Sequence, residues 1–239
     1  MRMQTRDMPL AIVAHELRAP LNVILGWAQM LRAGMLTAVD TGKALMIIEQ
    51  NAKALSKLIE DLLDNSSIAA GKLRLDIRRV ELSLIIENAI QAMRPAVGAK
   101  QIHISTALDI AVGAVAGDRD RLQQVVLNLL WNALEFTPNL GSIEVRLARN
   151  SNEARIVVRD SGPGISAEFL PHIFDPFTQE HSAGSKRRRG LGLGLAISRH
   201  LVELHNGTIH AENIEGHGAS FTVALPLWKD LLTLQQGKI

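Results

Sequence analysis

His15 stands in the string Ala14-His15-Glu16-Leu17-Arg18-Ala19-Pro20-Leu21. A neutral imidazole is a usable nucleophile near neutral pH. Glu16 beside it can take or hold a ring proton, which makes the other ring nitrogen more nucleophilic. Ala14, Leu17, Leu21, Ile24, Ala28, Leu31 and Met35 recur at spacings of three and four, as on one face of a helix. His15 lies off that stripe, so such a helix leaves it pointing outward and reachable. Pro20 falls inside the helix, has no N–H, and sets its ring against the carbonyl of Glu16. A kink or a loosened turn is expected there. Taken alone, His15 also reads as a solvated surface histidine, the commoner fate of a lone histidine.

Asn128 and Asn132 are four residues apart in a segment whose apolar stripe is Leu122, Val125, Val126, Leu129 and Ala133. On a helix the two share a face, expected to lie away from that stripe. Carboxamide oxygens suit a hard cation such as Mg²⁺ and add no charge, which fits a cation already carried by a triphosphate. Asparagine is a mediocre helix former, so two in mid-helix need a reason beyond capping or surface exposure.

Asp160-Ser161-Gly162-Pro163-Gly164 ends a strand-like run. An ionised carboxylate only accepts hydrogen bonds. It can take the exocyclic amino N–H of adenine, where guanine presents a carbonyl. Gly162 and Gly164 let backbone approach a ring closely. An ordinary Asp-Gly turn gives the same string. Phe174 and Phe177 fall within four residues of each other and can anchor one end of a lid or simply fill core. Gly190, Gly192 and Gly194 open a helix, whose first N–H groups favour phosphate. No strand precedes them, which argues against a dinucleotide fingerprint. No Gly-Lys-Ser/Thr occurs, which excludes a P-loop. The run Lys186–Arg189 can attract phosphate or lie solvated in a loop.

These residues need elements to hold them. The first 68 residues read as two long helices, the second marked by Leu45, Ile48, Ala52, Leu55, Ile59 and Leu62. Gly34 and residues 37–42 supply the turn. One such hairpin cannot bury its seam alone, and two make a four-helix bundle, so a homodimer is expected. Residues 65–71 read as a linker, placed at 69–71 in the domain division. Leu73, Leu75 and Ile77 alternate as a strand. A helix follows from Leu82 to Met93, ending before Pro95. Strand (about Ile102–Ile104), helix (Arg119–Phe136), two paired strands (Ser142–Ala148, Ala154–Asp160), helix (Leu193–His205) and two strands (Thr208–Glu212, Ala219–Leu225) complete a domain at 72–227. The mix lacks regular βαβ alternation and predicts an α+β sandwich. Residues 161–192 form a loop long enough to be a functional lid. The tail at 228–239 reads as a short helix or a frayed end.

Composition narrows the function further. The 239 residues hold no cysteine, which removes disulfide scaffolds, thiolate metal sites and a cysteine nucleophile. A net charge of +2 and 3% aromatic residues argue against a nucleic-acid binder. No stretch of apolar residues is long enough to span a bilayer, and the N-terminus lacks a secretory signal. The expectation is a cytoplasmic chain, or the cytoplasmic piece of a longer one, without membrane contact by this segment.

His box, asparagine pair, Asp-x-Gly-x-Gly, phenylalanine pair and glycine run occur here in a fixed order. That order resembles the catalytic core of the sensor histidine kinases, from about Leu10 to Leu227. Arg199–His205 with Gly207-Thr208, and Gly216–Phe221, add to it. The resemblance implies a dimerising phosphoacceptor hairpin followed by a gyrase-type ATPase domain. It implies that His15 takes a phosphoryl group from Mg-ATP, with Glu16 as base, and passes it to the aspartate of a response-regulator receiver domain. Asn128 and Asn132 would hold Mg²⁺ and phosphates, and Asp160 would read adenine. Gly162, Gly164, Gly190, Gly192 and Gly194 would shape pocket and lid. Three positions depart from the family pattern. Ala14 replaces a usual serine. Ala19 replaces the Thr or Asn that serves dephosphorylation of the regulator, and predicts weak or absent phosphatase activity. Glu135 replaces a lysine that reaches phosphate, and predicts reduced ATP affinity. A degenerate nucleotide-binding scaffold without kinase activity is the alternative, and a clamp-type ATPase is a third reading.

Overall fold

The computed structural model describes residues 10–180, 190–216 and 218–228. The chain divides into two compact units, one of residues 1–73 and 177–194, the other of 74–176 and 195–239.

In the first unit, α1 (Leu10–Arg32) and α2 (Ala38–Ala69) form the expected hairpin. Thr37 caps α2 by accepting the Asp40 N–H at 3.2 Å. The apolar stripe predicted as one seam divides in two. Leu17, Ile24, Leu31, Ile48, Leu55 and Leu62 are half-buried, with Val13 and Ala44 buried beside them. Ala14, Leu21, Ala28, Met35, Leu45, Ala52 and Ile59 are exposed. An apolar stripe spanning more than about 100° is wider than one partner helix covers.

The linker expected over residues 65–71 is mostly helix. α2 runs to Ala69, because Ile68 still meets packing and nothing breaks the helix before Gly71. There Gly71 (φ 62°) makes the left-handed turn, with Gly71 N–H donating to Ile68 and Lys72 N–H to Ser67.

The second unit is a sandwich. Strands β2 (His103–Leu108), β4 (Ser142–Asn150), β5 (Glu153–Asp160), β7 (Ala219–Pro226) and β6 (Thr208–Asn213) lie in the order β2-β4-β5-β7-β6. The β2–β4 pair is parallel and the rest are antiparallel. α3 (Leu82–Lys100) packs on α4 (Arg119–Phe136), and α4 packs on β5; α5 spans Gly194–Leu204. A second, two-stranded sheet pairs β1 (Arg78–Val80) with β3 (Val115–Gly117).

Two expectations fail here. Leu73, Leu75 and Ile77 are not a strand; the strand begins at Arg78. The Asp76 N–H is instead spent on the Asp118 carboxylate at 3.0 Å. The helix from Leu82 passes through Pro95 to Lys100. Pro95 is exposed, so the carbonyl it deprives of a partner lies on the solvent side. Lys186–Arg189, His217 and the tail after Trp228 lie outside the described residues.

Candidate active site

Along β5, Ala154, Ile156, Val158 and Asp160 are buried in alternation. The two-residue period of a strand therefore turns the last of them, a carboxylate, onto the core face. Asp160 is 6% exposed. Its Oδ1 accepts the Gly162 N–H at 2.8 Å and the Ala219 N–H at 3.3 Å. Among the described residues Oδ2 takes no hydrogen bond. Burial raises the carboxyl above its ordinary pKa, and the two backbone donors offset only part of this. Gly218 lies flush against the strand end, where a Cβ would fall 2.0 Å from the Asp160 carbonyl oxygen. Gly164 lies next to Asn213.

α4 begins on its N-cap Asp118, whose Oδ1 accepts the N–H groups of Asp120 and Arg121. Its stripe Leu122, Val125, Val126, Leu129 and Ala133 is buried as expected. Asn132 is half-buried. Asn128 departs from the expected outward face. It is 9% exposed, and its Nδ2 lies 3.2 Å from Ser198 Oγ of α5. That contact joins residues 70 apart in sequence, and local periodicity does not report it. Glu135, on the same polar side, is exposed.

Lys100, the last residue of α3, closes the far end of α4. Its Nζ donates to the carbonyls of Leu134, Glu135 and Thr137 at 2.6, 3.2 and 3.1 Å. Sequence reasoning missed Lys100, Ser198 and Asn213. None of them lies in a local pattern, and each acts across the fold.

In the first unit His15 is exposed on α1, as its place off the stripe predicted. α1 is helical through Pro20. Glu16 is half-buried, and its Oε2 accepts the Gly190 N–H at 3.2 Å. The glycine run and the segment after the phenylalanine pair are stitched together. Phe177 N–H donates to the Gly192 carbonyl at 3.1 Å, and Gln179 Nε2 to that of Gly190 at 2.7 Å. Gly194 begins α5. Phe174, in the second unit, meets Phe221 of β7 edge-on with ring centres 6.5 Å apart.

Residues 6–71 match the family model of the His Kinase A (phospho-acceptor) domain, and residues 117–229 match that of the histidine kinase-, DNA gyrase B- and HSP90-like ATPases. The chain belongs to the histidine kinases. The chain is similar to hybrid signal transduction histidine kinase D of Dictyostelium discoideum, 35% identical over 222 residues, 91% of this chain and 14% of that protein. It spans less than two thirds of the length of the curated relatives it matches. Among solved structures it resembles full-length ShkA in complex with AMPPNP (29% identity, TM-score 0.69, 92% of this chain and 46% of that one). It also resembles histidine kinase ThkA in complex with the response regulator TrrA (26% identity, TM-score 0.67, 92% and 61%).

The donor set fits Mg²⁺ carried by a nucleotide rather than held by protein alone. Among the described residues no three His, Asp or Glu side chains gather as a metal cage. The carboxamide oxygens of Asn128 and Asn132, being neutral, would leave the charge of such a cation to the phosphates. No helix of the described residues is long and apolar enough to cross a membrane.

Proposed function

We propose that this chain transfers the γ-phosphoryl group of Mg-ATP to His15 and then to the receiver aspartate of a response regulator. The observation that carries the nucleotide assignment is the Asp160 carboxylate. It is buried, held through Oδ1 by two backbone N–H groups, and keeps Oδ2 as an acceptor for the adenine amino group. Gly162 packs flush against the site, since a Cβ there would fall 2.7 Å from Asp160 Oδ1 and 2.9 Å from the Phe136 carbonyl oxygen. Asn128 and Asn132 hold the metal and phosphates from α4. Mg²⁺, when bound, neutralises charge on the phosphates, and most of the catalysis is positioning. Glu16 receives the imidazole proton as the histidine attacks.

The exposed stripe of Ala14, Leu21, Ala28, Met35, Leu45, Ala52 and Ile59 is the surface on which two hairpins join into a four-helix bundle. The ThkA–TrrA complex supports a receiver domain as partner, and the ShkA complex supports an adenine nucleotide. A cytoplasmic location fits both. The domain limits 1–68 and 72–227 are proposed with α2 extended to Ala69.

The test is incubation with Mg²⁺ and either γ-labelled ATP or γ-labelled GTP. Label retained on the protein from ATP and not from GTP supports the reading. Label released only as free phosphate supports a clamp-type ATPase instead. Nucleotide binding without label points to the degenerate scaffold.

A further inference from the structure

His205 follows α5 and is 2% exposed. Its Nδ1 lies 2.7 Å from the Leu201 carbonyl, and its Nε2 lies 2.9 Å from the backbone N–H of Asp118. A carbonyl can only accept and a backbone N–H can only donate, so the ring is neutral with its proton on Nδ1. Asp118 is the N-cap of α4, and its other carboxylate oxygen accepts the Asp76 N–H at 3.0 Å. Gly117 lets the ring lie flush, since a Cβ there would fall 3.1 Å from His205 Cδ2 and 2.5 Å from Leu122 Cδ1. Seven residues earlier on α5, Ser198 meets Asn128 at 3.2 Å. α5 therefore holds α4 at its cap and at its first nucleotide-facing asparagine.

We propose that His205 is a positioning residue for the phosphoryl-transfer reaction: its unprotonated Nε2 fixes the Asp118 cap and thereby sets α4, with Asn128 and Asn132, for Mg-nucleotide. The proposal rests on the reading that α4 carries the nucleotide asparagines. It goes beyond that reading by making affinity depend on one buried ring nitrogen far along the chain.

Protonation of Nε2 sets one N–H against another and breaks the link. The charged groups around the pair are Asp118, which favours the imidazolium, and Arg121 of α4 and Arg78 of β1, which act on Asp118. Burial outweighs Asp118 and holds the ring below the ordinary histidine pKa. A depressed folded pKa leaves the contribution intact above the unfolded value and removes it as pH falls through the folded one. The device is therefore engaged at neutral pH and fails on acidification.

The test measures Mg-ADP affinity of the full chain, which keeps His15 chemistry out of the readout. Glutamine places a carbonyl oxygen near the position of Nε2 and does not titrate. From neutral pH down through the folded pKa of His205, which lies below the ordinary histidine value, the native chain should lose about tenfold more affinity than His205→Gln, the worth of one buried hydrogen bond. Parallel profiles overturn the proposal. His205→Leu should bind about tenfold more weakly at neutral pH while His205→Gln stays near native. Native affinity in a folded His205→Leu overturns the proposal, and if that variant does not fold, the native and glutamine profiles decide. Asn132→Ala separates the two readings. Undiminished Mg-ADP affinity in Asn132→Ala refutes the site assignment itself, whereas loss there with a silent His205→Leu refutes only the positioning role.

Discussion

Asn213, the last residue of β6, holds both backbone polar groups of Ile165. Its Oδ1 accepts the Ile165 N–H and its Nδ2 donates to the Ile165 carbonyl, each at 2.7 Å. The carboxamide thus stands in for a neighbouring strand and holds the loop that follows Asp160. Asn213→Ala should cost about 1–2 kcal/mol of stability and weaken nucleotide binding, while Asn213→Leu does no better. Denaturant unfolding and nucleotide titration check this. Native affinity in Asn213→Ala contradicts a role in shaping the pocket.

Asp160 is predicted to serve binding at the expense of stability. Its carboxyl is raised by burial. A raised folded pKa gives a contribution fully present below the unfolded value and lost as pH rises through the folded one. At neutral pH the buried charge is a net burden. Asp160→Asn keeps the Oδ1 acceptor and removes the charge. Its Tm at neutral pH should equal or exceed the native one, with the gap closing on acidification. Adenine-nucleotide affinity should fall about tenfold to a hundredfold, the range for a hydrogen bond to a charged group. A lower Tm with native affinity contradicts the assignment.

Glu135 puts a negative charge on the side of α4 proposed to face the nucleotide. A pair of unit charges at ~4 Å and an effective dielectric of ~20 interacts by about 4 kcal/mol, and the exposure of this side chain screens that heavily. The Glu135 carbonyl is held by Lys100, so exchanging the side chain leaves the backbone anchored. Glu135→Lys should tighten Mg-ATP binding, with the gain shrinking as salt is added. A salt-independent affinity equal to native refutes the electrostatic account.

Ala19 lies exposed on α1, one turn after His15. It carries no hydroxyl or amide to place a water against a regulator's phosphoaspartate. Ala19→Thr should accelerate dephosphorylation of the cognate regulator and leave labelling of His15 near native. Rapid dephosphorylation by the native chain contradicts the expectation.

The parts of this fold legible in sequence are those set by local chemistry. The apolar stripe from Leu122 to Ala133 marks α4, and the helix runs from Arg119 to Phe136 as read from it. The alternation along β5 buries Asp160 without reference to any other strand. Illegible parts depend on partners distant in sequence. Asn128 looks solvent-facing until α5 brings Ser198 over it. Pro95 looks like a terminator until its exposure shows that the lost hydrogen bond falls on the solvent side. The three-residue strand β3 carries too short a pattern to register, and Asn213 falls just past the strand read to Glu212, its partner Ile165 lying 48 residues away. The single seam read on α1 and α2 was two adjacent faces, one for the hairpin and one exposed.

The central claim is that His15 receives the phosphoryl group. The direct measurement is incubation of the native chain and His15→Gln with γ-labelled ATP and Mg²⁺, followed by acid and base treatment of the labelled protein. The account predicts label on the native chain that is lost in acid, survives base, and is absent from His15→Gln. Equal labelling of the variant, or label that survives acid, would contradict it.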